Sequence, residues 1–271
     1  MSEPAETQDS HRPRVLVVQH QADCAPAWFG AWLSSAGCDV EVLEPWRGRP
    51  APDRLDAVDP RDADGLVVLG GSMGAHDDDT VAWLAPVKAL LRSAVADGVP
   101  TLGICLGHQL LAAALGGRVA PNPAGQTVGL TTIGWTPEAA DDRLVGDLAG
   151  GTTSRRGVHW NDDVVLEEPS GTVALARTAD GALQVARFAA TAWGVQLHPE
   201  ADRAVVEPWA EGDAERHAAQ GRDQAALLAA IADAEEELAA AWEPLARSFA
   251  ALCQDRRDRC RDRAARPAAQ R

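Results

Sequence analysis

Apolar positions in the first half of this chain come as short continuous runs, each followed by a stretch of helical spacing. Arg14-Val15-Leu16-Val17-Val18-Gln19 is apolar without alternation, which predicts a strand buried on both faces. Residues 25–36 then carry Trp28, Phe29, Trp32 and Leu33 at intervals of three and four, and Gly37 stands where a helix C-cap belongs. A second short strand is predicted over 39–43. Residues 44–63, rich in Pro, Asp and Arg, read as a surface connection. Asp64-Gly65-Leu66-Val67-Val68-Leu69 is the third strand, opening into Gly70-Gly71-Ser72-Met73-Gly74. Thr80 is the expected N-cap of a helix running to about residue 96. Gly98 and Pro100 precede a fourth apolar run that ends at Cys105, and helical spacing resumes at once with Leu106, Leu110, Leu111, Ala114 and Leu115. Strands alternating with helices at this pitch predict an α/β fold with a parallel sheet and right-handed crossovers.

The second half changes rhythm. Residues 128–135, 172–177, 183–188 and 191–197 read as strands joined by short turns, so antiparallel ribbons are expected to extend the sheet. From residue 224 a long helix is predicted, with Leu228, Ile231, Leu238, Trp242, Leu245, Phe249 and Leu252 on one stripe whose phase breaks at Glu235. Pro244 is expected to kink or split it. The stripe reads as core packed on the sheet, with a homodimer interface as the second use. Residues 1–12 and the charged end, 255–271, are expected to be disordered and frayed respectively. The expected organisation is therefore a disordered N-terminus (1–12), one domain (13–204), and a C-terminal helical extension with a charged tail (205–271).

The chemistry sits at two joins. In Gly103-Ile104-Cys105-Leu106-Gly107-His108-Gln109 a strand runs directly into a helix with a cysteine at the turn, the pattern of a nucleophile elbow. Glycines two residues to either side let neighbouring backbone approach the turn, and the helix N-terminus favours a thiolate. A cysteine nucleophile needs a base and a group that orients the base. Gly194-Val195-Gln196-Leu197-His198-Pro199-Glu200 supplies both, because residues two apart in extended chain face the same way. Pro199 stops the strand there, at the sheet edge where α/β proteins bind ligands. The backbone amide of Leu106 and the Gly70-Gly71 turn are the expected oxyanion donors. His108, on the first turn of the helix, reads as structural, and His159 as either pocket rim or plain surface.

Together with Leu69-Gly70-Gly71-Ser72, these two motifs resemble the class I glutamine amidotransferase family, over roughly residues 13–200 and most of all its stand-alone members similar to the glutaminase domain of GMP synthase. That resemblance implies a flavodoxin-like three-layer sandwich with a mostly parallel central sheet. It also implies a Cys105, His198, Glu200 triad that attacks the side-chain amide of glutamine through a thioester, with Gln109, Gly70 and Gly71 lining the glutamine pocket. No cofactor or metal is implied. The sequence departs from the family in one place. Trp160-Asn161-Asp162-Asp163 stands where many members have Trp-His-Gly-Asp, in a segment whose backbone holds the amino-acid end of glutamine. Trp160 and Asn161 are accordingly placed at the pocket rim, and an aspartate replaces a permissive glycine.

Composition narrows the partners. With 25 basic against 40 acidic residues the net charge of −15 excludes the clustered positive surface that nucleic acid or an anionic membrane requires. No apolar stretch approaches a membrane span or a signal-peptide core. Five cysteines without framework spacing fit a reducing, cytoplasmic setting. The Asp77-Asp78-Asp79 run has no complementary ligand cluster and reads as a solvated loop rather than a metal site. There is no GxxxxGK[ST] or SGGxDS phosphate loop, Lys88 is the sole lysine, and the stretch after Glu200 is too short and helical for an ATP-dependent domain. A glutaminase serving a synthase on a separate chain is therefore the leading expectation. A free-standing γ-glutamyl hydrolase or peptidase is the rival, and a catalytically silent binding module the third reading.

Overall fold

Burial on both faces turns the apolar runs into the centre of a sheet. In the computed structural model, which describes residues 12–47, 55 and 57–265, strands β1 (Arg14–Val18), β2 (Asp39–Leu43), β3 (Gly65–Val68) and β4 (Thr101–Ile104) lie parallel in the order β2-β1-β3-β4. Side chains alternate between the faces. Val15, Val17 and Val67 enter one core with Phe29 and Leu33 of α1 (Ala27–Ser35); Leu16, Val18, Leu66 and Val68 enter the other. That second core is closed by α2 (Leu84–Ala96) and α3 (Leu106–Ala114). The result is three layers, helix on sheet on helix. Gly37 takes a φ of +93°, as expected of the residue that ends α1.

The sheet continues on its other side through β11 (Ala192–Val195), which is parallel to β4. Beyond it β10 (Leu183–Ala189), β9 (Val173–Arg177), β6 (Thr127–Trp135) and β7 (Ser154–Asn161) pair antiparallel, making nine strands in all. The expected ribbons are present. The apolar-polar reading missed β7 and the separate pair β5 (Arg118–Pro121) and β8 (Asp163–Glu167), whose mixed polarity suits an edge and a surface flap. A short α4 (Gly146–Ala149) precedes β7.

Several expectations need correction. The helix expected from Thr80 begins a turn later, at Leu84; the Thr80 hydroxyl donates to the Asp77 carbonyl instead, at 3.2 Å. Arg12 is held rather than disordered, donating to the Ser34 and Cys38 carbonyls at 2.9 and 3.0 Å. Residues 1–11, and 48–54 with 56 of the surface connection, lie outside the described residues. The long C-terminal helix divides at Ala234, into α7 (Gln224–Asp233) and α8 (Glu235–Ala265), and passes Pro244 without a break. A proline deprives the preceding turn of a donor. The carbonyl left without its partner is that of Ala240; the next one, Ala241, accepts from Arg155 at 3.0 Å, which ties this turn to β7. The charged end stays helical to Ala265 because arginines tie it to the domain. Arg256 donates to the Asp97 carbonyl at 3.2 Å, and Arg257 to the Asp64 carboxylate at 3.2 Å.

The predicted stripe is core: Ile231, Leu238, Trp242, Leu245, Phe249 and Leu252 are buried against the sheet face that also holds α1. Gly65 shows how close the contact is, since a Cβ there would lie 2.3 Å from Cys253 Sγ. The stripe is thus used within the chain and is not left for a second copy. Two helices that the sequence pattern did not resolve, α5 (Arg203–Gly212) and α6 (Ala214–Ala219), connect the last strand to α7. Among the described residues no helix is long and apolar enough to cross a membrane.

Stability should fall in mild acid. Burial pushes the imidazoles of His20 and His108 down to about 4, below the ordinary histidine value of about 6.5. The unfolded chain then binds more protons than the folded one between those values, so stability is full above pH ~6.5 and declines towards pH ~4. Each histidine contributes at most about 3 kcal/mol to that decline. Protonating His20 would also remove the acceptor for Trp83 Nε1–H, now at 3.2 Å. Urea unfolding at pH 7.5 and pH 5 should show a lower midpoint at pH 5; an unchanged midpoint would contradict the assignment.

Candidate active site

Cys105 caps the N-terminus of α3 with φ +50° and ψ −105°, a backbone region costly for a residue with a side chain. The turn is stitched to both neighbouring strands. Cys105 N–H donates to the Val195 carbonyl at 2.8 Å, and Gly107 N–H to the Leu69 carbonyl at 3.1 Å. Both motif glycines are obligatory for this closeness. A Cβ on Gly103 would lie 2.3 Å from the Gly107 carbonyl oxygen, and one on Gly107 would lie 1.9 Å from that of Val68.

Past β11 the chain bends at Gln196 and Leu197, makes one bridge at His198 and turns at Pro199, and this path brings the Gln196, His198 and Glu200 side chains together beside the sulfur. His198 N–H donates to the Val158 carbonyl of β7 at 2.8 Å, an isolated bridge that anchors the segment to the sheet's far edge. Its Nδ1 meets Glu200 Oε1 at 2.8 Å, both side chains being almost wholly buried. This arrangement places Nδ1–H on the carboxylate and leaves Nε2 for Cys105. Burial alone would lower the His198 pKa. The facing Cys105 sulfur and the Glu200 carboxylate overcome it and hold the imidazole well above its ordinary value. Gly70 packs beneath the pair, since a Cβ there would sit 3.0 Å from His198 Cε1 and 3.6 Å from Cys105 Cβ.

Cys105 and His198 open onto a cavity of about 540 Å³. Of the residues expected around the site, Gly71, Gln109, Trp160 and Asn161 also line it. Gln109 is buried, donating to the Asp163 carbonyl at 2.9 Å and to Gln196 Oε1 at 3.2 Å. Leu106 packs beneath Gly71, and Glu200 stands behind His198. His108 is in the core, its ring 5.1 Å from that of Phe188. His159 is neither rim nor surface: it is buried, bonding Gln184 Oε1 at 2.8 Å and the Gly157 carbonyl at 3.1 Å. The departure from the family motif is accommodated by α6, whose Arg216 donates to Asp162 Oδ2 at 2.9 Å and offsets its charge. In the acidic loop Asp77 accepts from Gly74 N–H at 2.7 Å and Asp78 pairs with Lys88 at 2.6 Å. Among the described residues no cluster of His, Cys, Asp and Glu is arranged to hold a metal ion.

Sequence reasoning missed five residues of the site. Gln196 points its amide at Cys105, Nε2 to Sγ 3.7 Å, and alternation with His198 would have found it. Gln21 braces the glycine turn by accepting from Ser72 N–H and Oγ–H, each at 2.8 Å. Cys24 lines the cavity with its thiol pushed up by burial and by the neighbouring Asp23, Glu200 and Cys105. Trp209 and Asp213 come from α5 and its end, folded over the opening. The Trp209 ring lies 4.6 Å from that of His198, and Asp213 Oδ2 accepts from Trp160 Nε1–H at 2.8 Å. No local signal marks these two.

Comparison with known proteins identifies the family. The family profile described as Glutamine amidotransferase class-I matches residues 32–207. The chain is 37% identical, over 69% of its length and 88% of the relative's, to a protein of Natronomonas pharaonis named as a glutamine-hydrolyzing GMP synthase subunit. It is 36% identical to the protein of the same name from Halobacterium salinarum, over 51% of this chain and 67% of that one. A solved glutamine amido transferase from Methylobacillus flagellatus superposes with a TM-score of 0.72 at 27% identity, covering 90% of this chain and 95% of the other.

The Gly70 contact is testable without a substrate. Gly70→Ala would push the imidazole away from the sulfur by a few tenths of an ångström. Alkylation of Cys105 by iodoacetamide at pH 7 should then slow by about tenfold. An unchanged rate in a folded variant would mean that the imidazole does not depend on that gap.

Proposed function

We propose, for a chain that belongs to the class I glutamine amidotransferase family, that it hydrolyses the side-chain amide of glutamine to glutamate and ammonia through a thioester on Cys105. The observation that carries this reading is the shared cavity of Cys105 and a His198 whose Nδ1 is held by Glu200 at 2.8 Å.

The steps follow from the geometry. With the proton on His198, the Cys105 sulfur is a thiolate that attacks the amide carbon, forming a C–S bond. The carbonyl oxygen becomes an oxyanion, for which the Leu106 amide at the α3 N-terminus and the Gly70-Gly71 turn are the backbone donors. Nε2–H of His198 then passes its proton to the nitrogen, the C–N bond breaks, and ammonia leaves. Water attacks the thioester carbon, giving its proton to Nε2, and glutamate departs as the sulfur regains the bonding pair. Glu200 remains ionised throughout, fixing the tautomer and stabilising the imidazolium. The Gln196 amide, 3.7 Å from the sulfur, offers the thiolate a hydrogen bond.

Substrate choice fits the walls. Asp23, Asp163 and Asp213 line the cavity beside the Arg216-paired Asp162, and no lysine or arginine is among its lining residues, an environment suited to the α-ammonium end of an amino acid. The relatives named as GMP synthase subunits support delivery of the ammonia to a synthase on a separate chain.

Purified protein should release glutamate and ammonia one for one from glutamine, faster than it cleaves γ-glutamyl dipeptides, and a partner synthase supplied in trans should raise the rate. Cys105→Ala should lower turnover by at least about 10³-fold. Preference for dipeptides would replace glutamine with a γ-glutamyl substrate. Wild-type turnover in the alanine variant would rule out the thioester route.

A further inference from the structure

We propose that Trp209 is a positioning residue for His198, its indole holding the imidazole in place towards Cys105. The proposal rests on the reading of Cys105 and His198 as a working pair.

The imidazole is tethered to Glu200 through Nδ1, and its other side-chain partner is the Cys105 sulfur itself. Two in-plane partners set the tautomer but leave the ring free to tilt about the line that joins them. Two surfaces limit that tilt. One is the Gly70 backbone, close enough that a methyl group would reach within 3.0 Å of Cε1. The other is the Trp209 indole, its centroid 4.6 Å from the imidazole's and its plane inclined by 50°. An aromatic ring at this distance attracts a cation and excludes water, so it favours the imidazolium over the neutral ring. The neighbouring charges act on the same proton. Cys105 and Glu200 raise the His198 pKa, while Asp23, Cys24 and Asp213 line the adjoining cavity and His159 lies behind the segment.

The indole is itself fixed. Trp209 Nε1–H donates to the Asp23 carbonyl at 3.0 Å, and its ring lies 6.3 Å from that of Trp160. The Asp23 side chain accepts from Gln21 Nε2 at 2.6 Å, and Gln21 Oε1 holds Ser72. The group that restrains the base is therefore anchored on the loop that braces the glycine turn. Asp202 caps α5 by accepting from Val205 N–H at 2.9 Å, so the segment carrying His198 and Glu200 turns directly into the helix carrying Trp209. Trp209 lies just past residues 32–207, the part matched by the family profile.

The test compares wild type with Trp209→Leu and Trp209→Phe, following Cys105 carboxamidomethylation by iodoacetamide from pH 5 to 10 on the Cys105 peptide, alongside kcat and KM for glutamine. In Trp209→Leu the high-pH inflection, where His198 loses its proton, should move down by about half to one pH unit. The value of kcat should fall about tenfold with KM changed less than about threefold. Trp209→Phe keeps an aromatic face and should hold the inflection within about 0.3 units of wild type. If the leucine variant does not fold, Trp209→Met, similar in bulk without a ring, takes its place. An inflection unmoved in the folded aliphatic variant, or moved equally in Trp209→Phe, overturns the proposal. A shift in alkylation without any glutamine turnover in wild type would sustain it and instead refute the glutaminase reading.

Discussion

Everything at this site depends on a backbone turn that an ordinary sequence could not make. Cys105 holds a positive φ, a conformation that costs about 1–3 kcal/mol and persists only where its surroundings enforce it. They do so from both sides. Val195 of β11 accepts its N–H, while Gly107 in the next turn of chain donates to Leu69 at the end of β3. Gly103 and Gly107 permit the approach, since a methyl group at either would overlap a carbonyl oxygen or its carbon. The sulfur consequently stands at the floor of a cavity beside a helix N-terminus, while the strands on either side remain in register.

The same strands deliver the other groups. β11 lies beside β4 and ends at Val195, so the residues that follow emerge beside the sulfur: Gln196 reaches it by its amide, His198 faces it by its ring, and Glu200 stands one step behind. β3, on the opposite side of β4, ends in the glycine turn. Three adjacent parallel strands thus place Cys105, His198 and the Gly70-Gly71 turn at one edge, where a parallel sheet offers its loops for function. The antiparallel half serves the site more remotely. Its outermost strand, β7, receives the His198 amide and ends in the Trp160-Asn161 rim.

The cover of the cavity has a different origin. α5 and α6 follow the last motif residue almost immediately and fold back across the opening, joined to it by polar contacts that include Gln126 with Asp213 and His217. Trp209 reaches the Asp23 carbonyl, Trp160 reaches Asp213, and Arg216 reaches Asp162. The Asp162 that breaks the family pattern is thereby one of the points where the cover attaches. Its carboxylate offers Arg216 a partner that a glycine could not.

How much of this was written in the chain follows from the range of each signal. Apolar runs, the Gly-x-Cys-x-Gly elbow and the alternation through His198 and Glu200 act over a few residues, so the sequence by itself determined the parallel strands, the thiol at the turn and the paired base and carboxylate. Gln196 was legible by the same alternation and was overlooked. The division of the C-terminal helix at Ala234 was marked by the phase break at Glu235. The continuity of α8 through Pro244 was not legible, because it goes with packing of that turn on β7, where Arg155 reaches the Ala241 carbonyl. Nor was the burial of His159, which depends on Gln184 from another strand. Trp209 on α5 and Asp213 at its end belong to a helix that the sequence pattern did not resolve, and only its packing across the cavity brings them to the imidazole and the rim. Local chemistry was set by the sequence; which distant side chains enclose it was decided by tertiary packing, since contacts between remote segments leave no periodicity in either one.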